Sequence, residues 1–222
     1  MNNREHRTIS IAEQVFERLE KDVLSGKYPK GEVLSELKLS QELEVSRTPI
    51  REALIALVQE HLLEDTGRGM VVVGVSRQDM LDMYEIRLLL EGKAAARAAS
   101  HMDEQALAEM GDILDLQDFY IRKQEENGKD MSDAIKDLDS RFHERIYTGC
   151  GSMAFCDTLL PVFKKMTKYR KASVSRSGRA AESLKEHRAI LEALRARDAA
   201  EAERLTVLHL ANARNSIASM EG

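Results

Sequence analysis

The chain has 222 residues, of which 43% are hydrophobic and 32% charged, and a formal net charge of −5. That length suits one large or two small globular domains, and the apolar content is sufficient for packed cores, which excludes disorder over most of it. No apolar run approaches the roughly 18 residues that a membrane span requires, and Met1 to His6 lacks the hydrophobic core of a signal peptide, so a cytoplasmic chain with no membrane partner is expected.

Residues 1 to 9 are polar, with no packing signal. From Ser10 onward, Ile11, Val15, Leu19 and Val23 recur every four residues, which predicts a helix ending before Gly26 and Pro29. Ser35 is placed to cap a short second helix in which Leu39 and Leu43 lie one turn apart. Only Glu44 and Val45 separate it from Ser46, the expected N-cap of a third helix, whose first turn tolerates Pro49 because the missing N–H would have no partner there. Ile50, Ala53, Leu54 and Leu57 form the apolar stripe of that helix, and Arg47, Thr48 and Arg51 flank it. Two helices joined this tightly form a helix-turn-helix. An arginine at the leading edge of its second helix can grip phosphate or guanine, and a threonine can serve phosphate or a thymine methyl. Leu62-Leu63-Glu64 and Met70 to Val73 are short β-type runs around Asp65-Thr66-Gly67-Arg68-Gly69, which predicts a hairpin wing tipped by an arginine.

Residues 1 to 76 hold 10 Lys and Arg against 13 Asp and Glu, a formal charge of −3. This excludes an indiscriminate polyanion binder and leaves one that relies on a few placed arginines, with salt-sensitive and moderate affinity per chain. Ser76 and Asp79 make a near-capping box that opens a second domain. From there the pattern is helical, and punctuation divides it into helices near 77–100, 103–126, 131–148, 152–172, 179–196 and 199–219, with a loop from Ser173 to Gly178. The expected fold is mainly α: an N-terminal winged helix-turn-helix over 1–76 with a small β-hairpin wing, and a C-terminal all-α six-helix bundle over 77–222. Cys150 and Cys156 match no zinc-finger spacing and read as structural thiols.

The second domain carries polar groups that a simple bundle does not need. Asp139 and His143 are four apart, so they share a helix face with Phe142 and Ile146. His187 lies among Leu184, Ile190, Leu191 and Leu194, and His209 beside Leu205, Leu208 and Asn212. One histidine on an apolar face is usually a core residue. Three with a carboxylate suit a divalent ion, zinc first, with nickel, manganese or iron as alternatives. His143-Glu144-Arg145-Ile146-Tyr147 begins like the H-E-x-x-H zinc hydrolase motif but has Tyr147 in place of the second histidine, so an enzyme is not expected.

The segment from Ile11 to Val75 resembles the winged helix of the GntR family of bacterial transcription regulators, through Leu24-Ser25-Gly26 to Pro29 and Gly31, the Val45 to Leu54 block, Leu57, Leu62-Leu63 and Arg68-Gly69. It departs at Glu44 and His61, which stand where the family usually has glycine; a positive φ at Glu44 would cost about 1 kcal/mol or more. Further along, Tyr84-Glu85-Ile86-Arg87 to Glu91, Asp139-x-x-x-His143, Glu186-His187-Arg188-Ala189-Ile190 with Leu194, and His209 look like the FCD effector domain of the FadR subfamily. The resemblance implies a metabolite-responsive repressor that binds an inverted-repeat operator in double-stranded DNA as a homodimer. Ser46, Arg47, Thr48, Arg51, Arg68 and Gly69 would face DNA, and Asp139, His143, His187 and His209 would hold the ion. Arg87, Ser183 and Asn212 would contact a small organic acid effector, with Arg87 read equally well as an ion pair at a helix surface or domain junction. A structural ion, or an ion that is itself the signal, is the alternative.

Overall fold

The computed structural model describes residues 9–175 and 178–219, which divide into two compact units at Ser76 and Arg77. Most of the polar N-terminal stretch, and residues 176 and 177 of the expected loop, lie outside the described residues.

In the first unit, helix α1 (Ile11–Leu24) begins at Ser10, whose hydroxyl accepts from the Glu13 N–H while the Glu13 carboxylate accepts from the Ser10 N–H, a complete capping box. Strand β1 (Val33–Leu34), helix α2 (Glu36–Leu43) and helix α3 (Arg47–Gln59) follow, then strands β2 (Leu63–Asp65) and β3 (Met70–Val72). The wing is therefore a hairpin extended by a third strand that the sequence pattern did not reveal: β3 pairs antiparallel with both β2 and β1. Gly69 has φ +148, and a Cβ there would stand 2.7 Å from the Val33 side chain, so this glycine lets β1 close against the wing. Leu19, Ile50, Leu54 and Leu57 are fully buried and lock α3 onto α1.

Two expected caps differ. Ser35 and Ser46 occupy N-cap positions, but neither hydroxyl bonds a first-turn N–H; Ser46 is exposed, so water can satisfy those groups instead. Glu44 does close α2 in the left-handed region, with φ 55, and His61 has φ 58.

The second unit contains α4 (Arg77–His101), α5 (Glu104–Asn127), α6 (Ser132–Gly149), α7 (Met153–Lys165), α8 (Thr167–Ser175), α9 (Arg179–Arg195) and α10 (Ala199–Ala218). The helix expected over 152–172 is thus two, and the bundle has seven helices among the described residues. The break falls at Met166, whose N–H turns back to the Phe163 carbonyl and whose side chain is wholly buried with Met80, Tyr84 and Ile217. Burial of that one side chain favours a bend that no local signal announces. No helix among the described residues is long and apolar enough to cross a membrane.

Small residues allow α4 to sit deep in the bundle. Ala94, Ala95, Ala98 and Ala99 are fully buried, and a Cβ on Gly92 would meet Val207 of α10 at 2.8 Å. Asp103 and Asp198 cap α5 and α10 by accepting from Ala106 and Glu201 N–H groups. Arg197 tolerates φ 58 because its guanidinium is anchored on the Ala99 and Met102 carbonyls and the Glu104 carboxylate. Of the two cysteines, Cys150 is buried and Cys156 half-buried, and neither forms a disulfide.

Left-handed backbone costs a non-glycine residue about 1 to 3 kcal/mol, whereas glycine's extra unfolded-state entropy costs about 0.5 to 1. The first term wins at Glu44, whose side chain is exposed. Glu44→Gly is therefore expected to stabilise the first unit by about 1 kcal/mol in urea denaturation; a fall in stability would show that Glu44 is not strained.

Candidate functional site

The first unit presents Ser46, Arg47, Thr48 and Arg51 on the exposed side of α3, with Arg68 exposed at the wing tip. Gly69 lies beside Arg68 but is half-buried, and its close approach to Val33 gives it a structural role. The two helix arginines share a partner that the sequence reading missed. Glu36, the first residue of α2, accepts from Arg51 Nε at 2.8 Å and Nη2 at 3.0 Å, and from Arg47 Nη2 at 3.0 Å. Hydrogen bonds from Arg51, then Arg47, pull the Glu36 carboxyl down to about 2, so it stays ionised at neutral pH. The arginines are thus held side by side before any ligand arrives. All three side chains are solvated, so the pairing is weak and exchangeable.

In the second unit, α6 supplies Asp139 and His143, α9 His187 and α10 His209, and all four are buried. One ring nitrogen from each histidine lies within 4.8 Å of one from each of the others. His187 Nε2 is 3.3 Å from His209 Nε2 and 3.6 Å from Asp139 Oδ1. Two nitrogens bound to one zinc at a tetrahedral angle stand roughly 3.3 Å apart, so the His187–His209 pair has ligand spacing. The three histidines are grouped to within 4.8 Å and Asp139 approaches them through His187, so an ion would draw the set closer. His209 Nδ1 donates to Glu186 Oε2 at 2.6 Å, which directs the lone pair of its Nε2 toward the other imidazoles. His143 Nδ1 stands 3.5 Å from Glu91 Oε2. Burial, first of all, lowers the pKa of both His143 and His187, so both are neutral and able to ligate at pH 7.

Three buried arginines surround this cluster, each on its own carboxylate. Arg87 donates to Glu91, Arg170 to Asp139 at 2.5 Å and Arg179 to Glu186 at 3.1 and 2.8 Å. Burial alone would raise the Asp139 and Glu91 carboxyls; the adjoining guanidiniums, Arg170 for Asp139 and Arg87 for Glu91, hold both well below the usual carboxylate range. Glu186, raised by burial but bonded by His209 and Arg179, is held at about 2. Tyr147 completes the Glu91 shell, donating at 2.6 Å. With neutral imidazoles the three pairs cancel, so a bound dication would leave a charge of +2.

A cavity of about 30 Å³ opens against the cluster, lined by Arg87, Asp139, His143, Arg170, Arg179, Ser173, Ser183, His209, Tyr84 and Ala213. Arg87 and Ser183, two of the residues expected to contact an effector, line it; Arg87 is not a surface residue, being 2% exposed and paired with Glu91 within its own helix. Asn212, the third, does not line this cavity: it donates to Glu186 at 2.8 Å and lines a neighbouring open groove, with Glu186 between it and His209. Glu144 is exposed and turned off the His143 face. Arg170 and Arg179 were not foreseen as site residues. Tyr147 was legible as the residue one turn beyond His143, and Glu91 as one turn beyond Arg87.

Comparison with known proteins follows the two units. The model of the FCD domain matches residues 82–212, and that of the bacterial regulatory proteins of the gntR family matches residues 11–73. The chain is 28% identical over 197 residues to the uncharacterized HTH-type transcriptional regulator YdhC of Bacillus subtilis, covering 88% of this chain and 86% of that one. It is 31% identical over 124 residues to the gluconate operon transcriptional repressor of Bacillus licheniformis, covering 56% and 49%. In structure it is similar to McbR/YncC of E. coli, with a TM-score of 0.79 at 23% identity over 97% of this chain and 100% of that one, a likeness of fold.

The depressed histidines set a pH dependence for the ion-free protein. Unfolded histidine takes up a proton below its ordinary value of 6.5, whereas folded His143 and His187 resist it. The unfolded state then binds more protons, so stability falls as pH drops below 6.5, by at most about 1.4 kcal/mol per histidine per pH unit. The depressed carboxylates act in the same direction only below their ordinary values of 3.8 and 4.5. Melting in chelator at pH 7.5 and 5.5 is expected to show the loss, and His187→Gln to reduce it. Equal melting temperatures for the wild type at the two pH values would contradict neutral burial.

Proposed function

Because the chain belongs to the gntR family of bacterial regulatory proteins and carries an FCD domain after its helix-turn-helix unit, we propose that it is a repressor whose operator affinity is set by a small carboxylate bound beside a metal ion. It is a transcription regulator and not an enzyme. In this reading Arg47, Arg51, Thr48 and Ser46 enter the major groove, Arg68 touches backbone from the wing, and Gly69 shapes the wing. Two copies bind an inverted repeat, as two-fold symmetry requires. The exposure of Leu89 at 74% and Ile86 at 39% on α4 is consistent with a face covered by a second copy.

The observation that carries the effector half is the convergence of three buried imidazoles, with Asp139 Oδ1 3.6 Å from His187, beside a cavity lined by three arginines. Asp139, His143, His187 and His209 would hold the ion, a donor set of imidazole and carboxylate that suits zinc first, with nickel, manganese or iron as alternatives and further coordination positions left for the acid. Such an ion supplies an electrophilic anchor for carboxylate oxygens. Arg87, Arg170 and Ser183 orient the acid from the other side of the cavity, while Asn212 acts through Glu186. The three ion pairs cancel, so the added charge of the ion selects an anion over a neutral sugar. Repression and an acid as signal are both in keeping with a relative that represses a gluconate operon, gluconate being a hydroxylated carboxylate. The acid acts by favouring one arrangement of the DNA-binding units over another, a coupling of about 1 to 3 kcal/mol.

For the DNA half, Arg47→Ala and Arg51→Ala are each expected to weaken operator binding by about 1 to 3 kcal/mol in mobility-shift titrations at fixed salt, with the fold intact. Arg68→Ala should weaken operator and unrelated DNA alike. Unchanged operator affinity in all three would remove α3 from the interface.

For the effector half, elemental analysis of the purified protein is expected to find about one divalent ion per chain, and none after joint replacement of His187 and His209 by Ala. Asp139→Ala or His187→Ala should also abolish the change in operator affinity produced by the most stabilising acid in a thermal-shift screen. No ion in the wild type, with melting unmoved by added metal, would return the histidines to core packing; an effector response that survives in the mutants would route the signal elsewhere.

A further inference from the structure

Asp139 has two cations to serve and one charge to offer. Its Oδ2 accepts from Arg170 Nη2 at 2.5 Å, while its Oδ1 faces His187 Nε2 at 3.6 Å, on the side where the imidazoles converge. Arg170 is itself 6% exposed, is steadied by Ser140 Oγ at 3.0 Å, and lies 3.6 Å over the Phe163 ring. Arg87 and Arg179 differ in kind: their partners, Glu91 and Glu186, stand behind His143 and His209 and do not belong to the proposed ligand set. Among the described residues, Arg170 is the arginine that shares a carboxylate with the ion site.

Resting on the metal reading above, we propose that Arg170 couples metal binding to anion binding in this protein. In the ion-free site Arg170 is the counter-cation of Asp139. An ion arriving on the imidazole side places two further positive charges on the same carboxylate, in an interior where water does little to screen them. The ion and the guanidinium therefore weaken each other's hold on Asp139. The cavity is lined by Arg170, Asp139, His143 and His209 together, so an anion lodged there lies against both cations and relieves the repulsion. Its volume of about 30 Å³ takes a carboxylate head and not a whole metabolite, so the rest of an acid must displace side chains or extend outward. Metal and carboxylate then bind with positive cooperativity. Because coupling is reciprocal, each raises the affinity of the other by the same factor.

The test is calorimetric titration of the chelator-stripped full-length protein with zinc chloride, with and without saturating sodium acetate. The wild type is expected to bind zinc at least about fivefold more tightly in acetate. Arg170→Gln is expected to bind zinc more tightly than the wild type without acetate, and to gain less from acetate, which then has only the ion and the remaining lining groups to hold it. Arg170→Lys keeps the charge on a shorter stem that cannot span Asp139 and Ser140, and should fall between the two; it serves as the readout if the glutamine variant does not fold by circular dichroism. Zinc affinity in folded Arg170→Gln equal to or below the wild type, acetate coupling in it as large as in the wild type, or Arg170→Lys indistinguishable from the wild type overturns the proposal. A wild type that takes up no zinc overturns the metal reading itself, and this proposal with it.

Discussion

The second unit depends on pairing charges out of water. Asp139 with Arg170, Glu91 with Arg87 and Glu186 with Arg179 are largely removed from solvent, and a buried ion of either sign left alone would cost several kcal/mol. Each pair joins helices or stiffens one: Asp139 to Arg170 ties α6 to α8, Glu91 to Arg87 sits within α4, and Tyr147 brings α6 onto the same carboxylate. Replacing such pairs with apolar side chains of similar volume is often neutral or stabilising. Their presence around one small cavity is thus better understood as chemistry than as reinforcement.

The same pairs set the protonation of the histidines between them. Burial makes a charged imidazole expensive, and carboxylates that already hold arginines do not fully offset that cost, so His143 and His187 stay neutral. A neutral imidazole can give a lone pair to an ion or simply pack: Phe142 stacks on His187 at a ring separation of 4.4 Å. The helix scaffold therefore holds the neutral imidazoles together, and an ion that bound them only in the folded state would add to its stability.

The DNA-facing unit uses charge in the opposite regime. Glu36, Arg47 and Arg51 are solvated, so their mutual attraction is small and easily exchanged for phosphate or base. Glu36 limits the freedom of both arginines and offsets part of their charge, in keeping with a unit whose net charge is negative.

By itself the sequence determined every helix of the first unit, the wing hairpin and the extents of most of the second unit, because these depend on local rules: periodic apolar residues, caps, and glycine or proline at the ends. It also placed Asp139 and His143 on one helix face, and His187 and His209 on inward stripes, since helical spacing is fixed by backbone geometry. Glu44, as a strained turn residue, and His61 were legible only through the family resemblance, which has glycine at both positions, and both have positive φ. Only the tertiary structure decided the break at Met166, the third strand at Val33 and Leu34, the position of Asn212 behind Glu186, and the arginines of the site. Arg170 and Asp139 are 31 positions apart, and Arg51 and Glu36 are 15 apart. Which cation meets which carboxylate across such separations depends on how the helices rotate and stack, and that is settled by the burial of Phe163, Met166 and their neighbours in the second unit and of Leu39, Ile50 and Leu54 in the first, and by no local pattern in the chain.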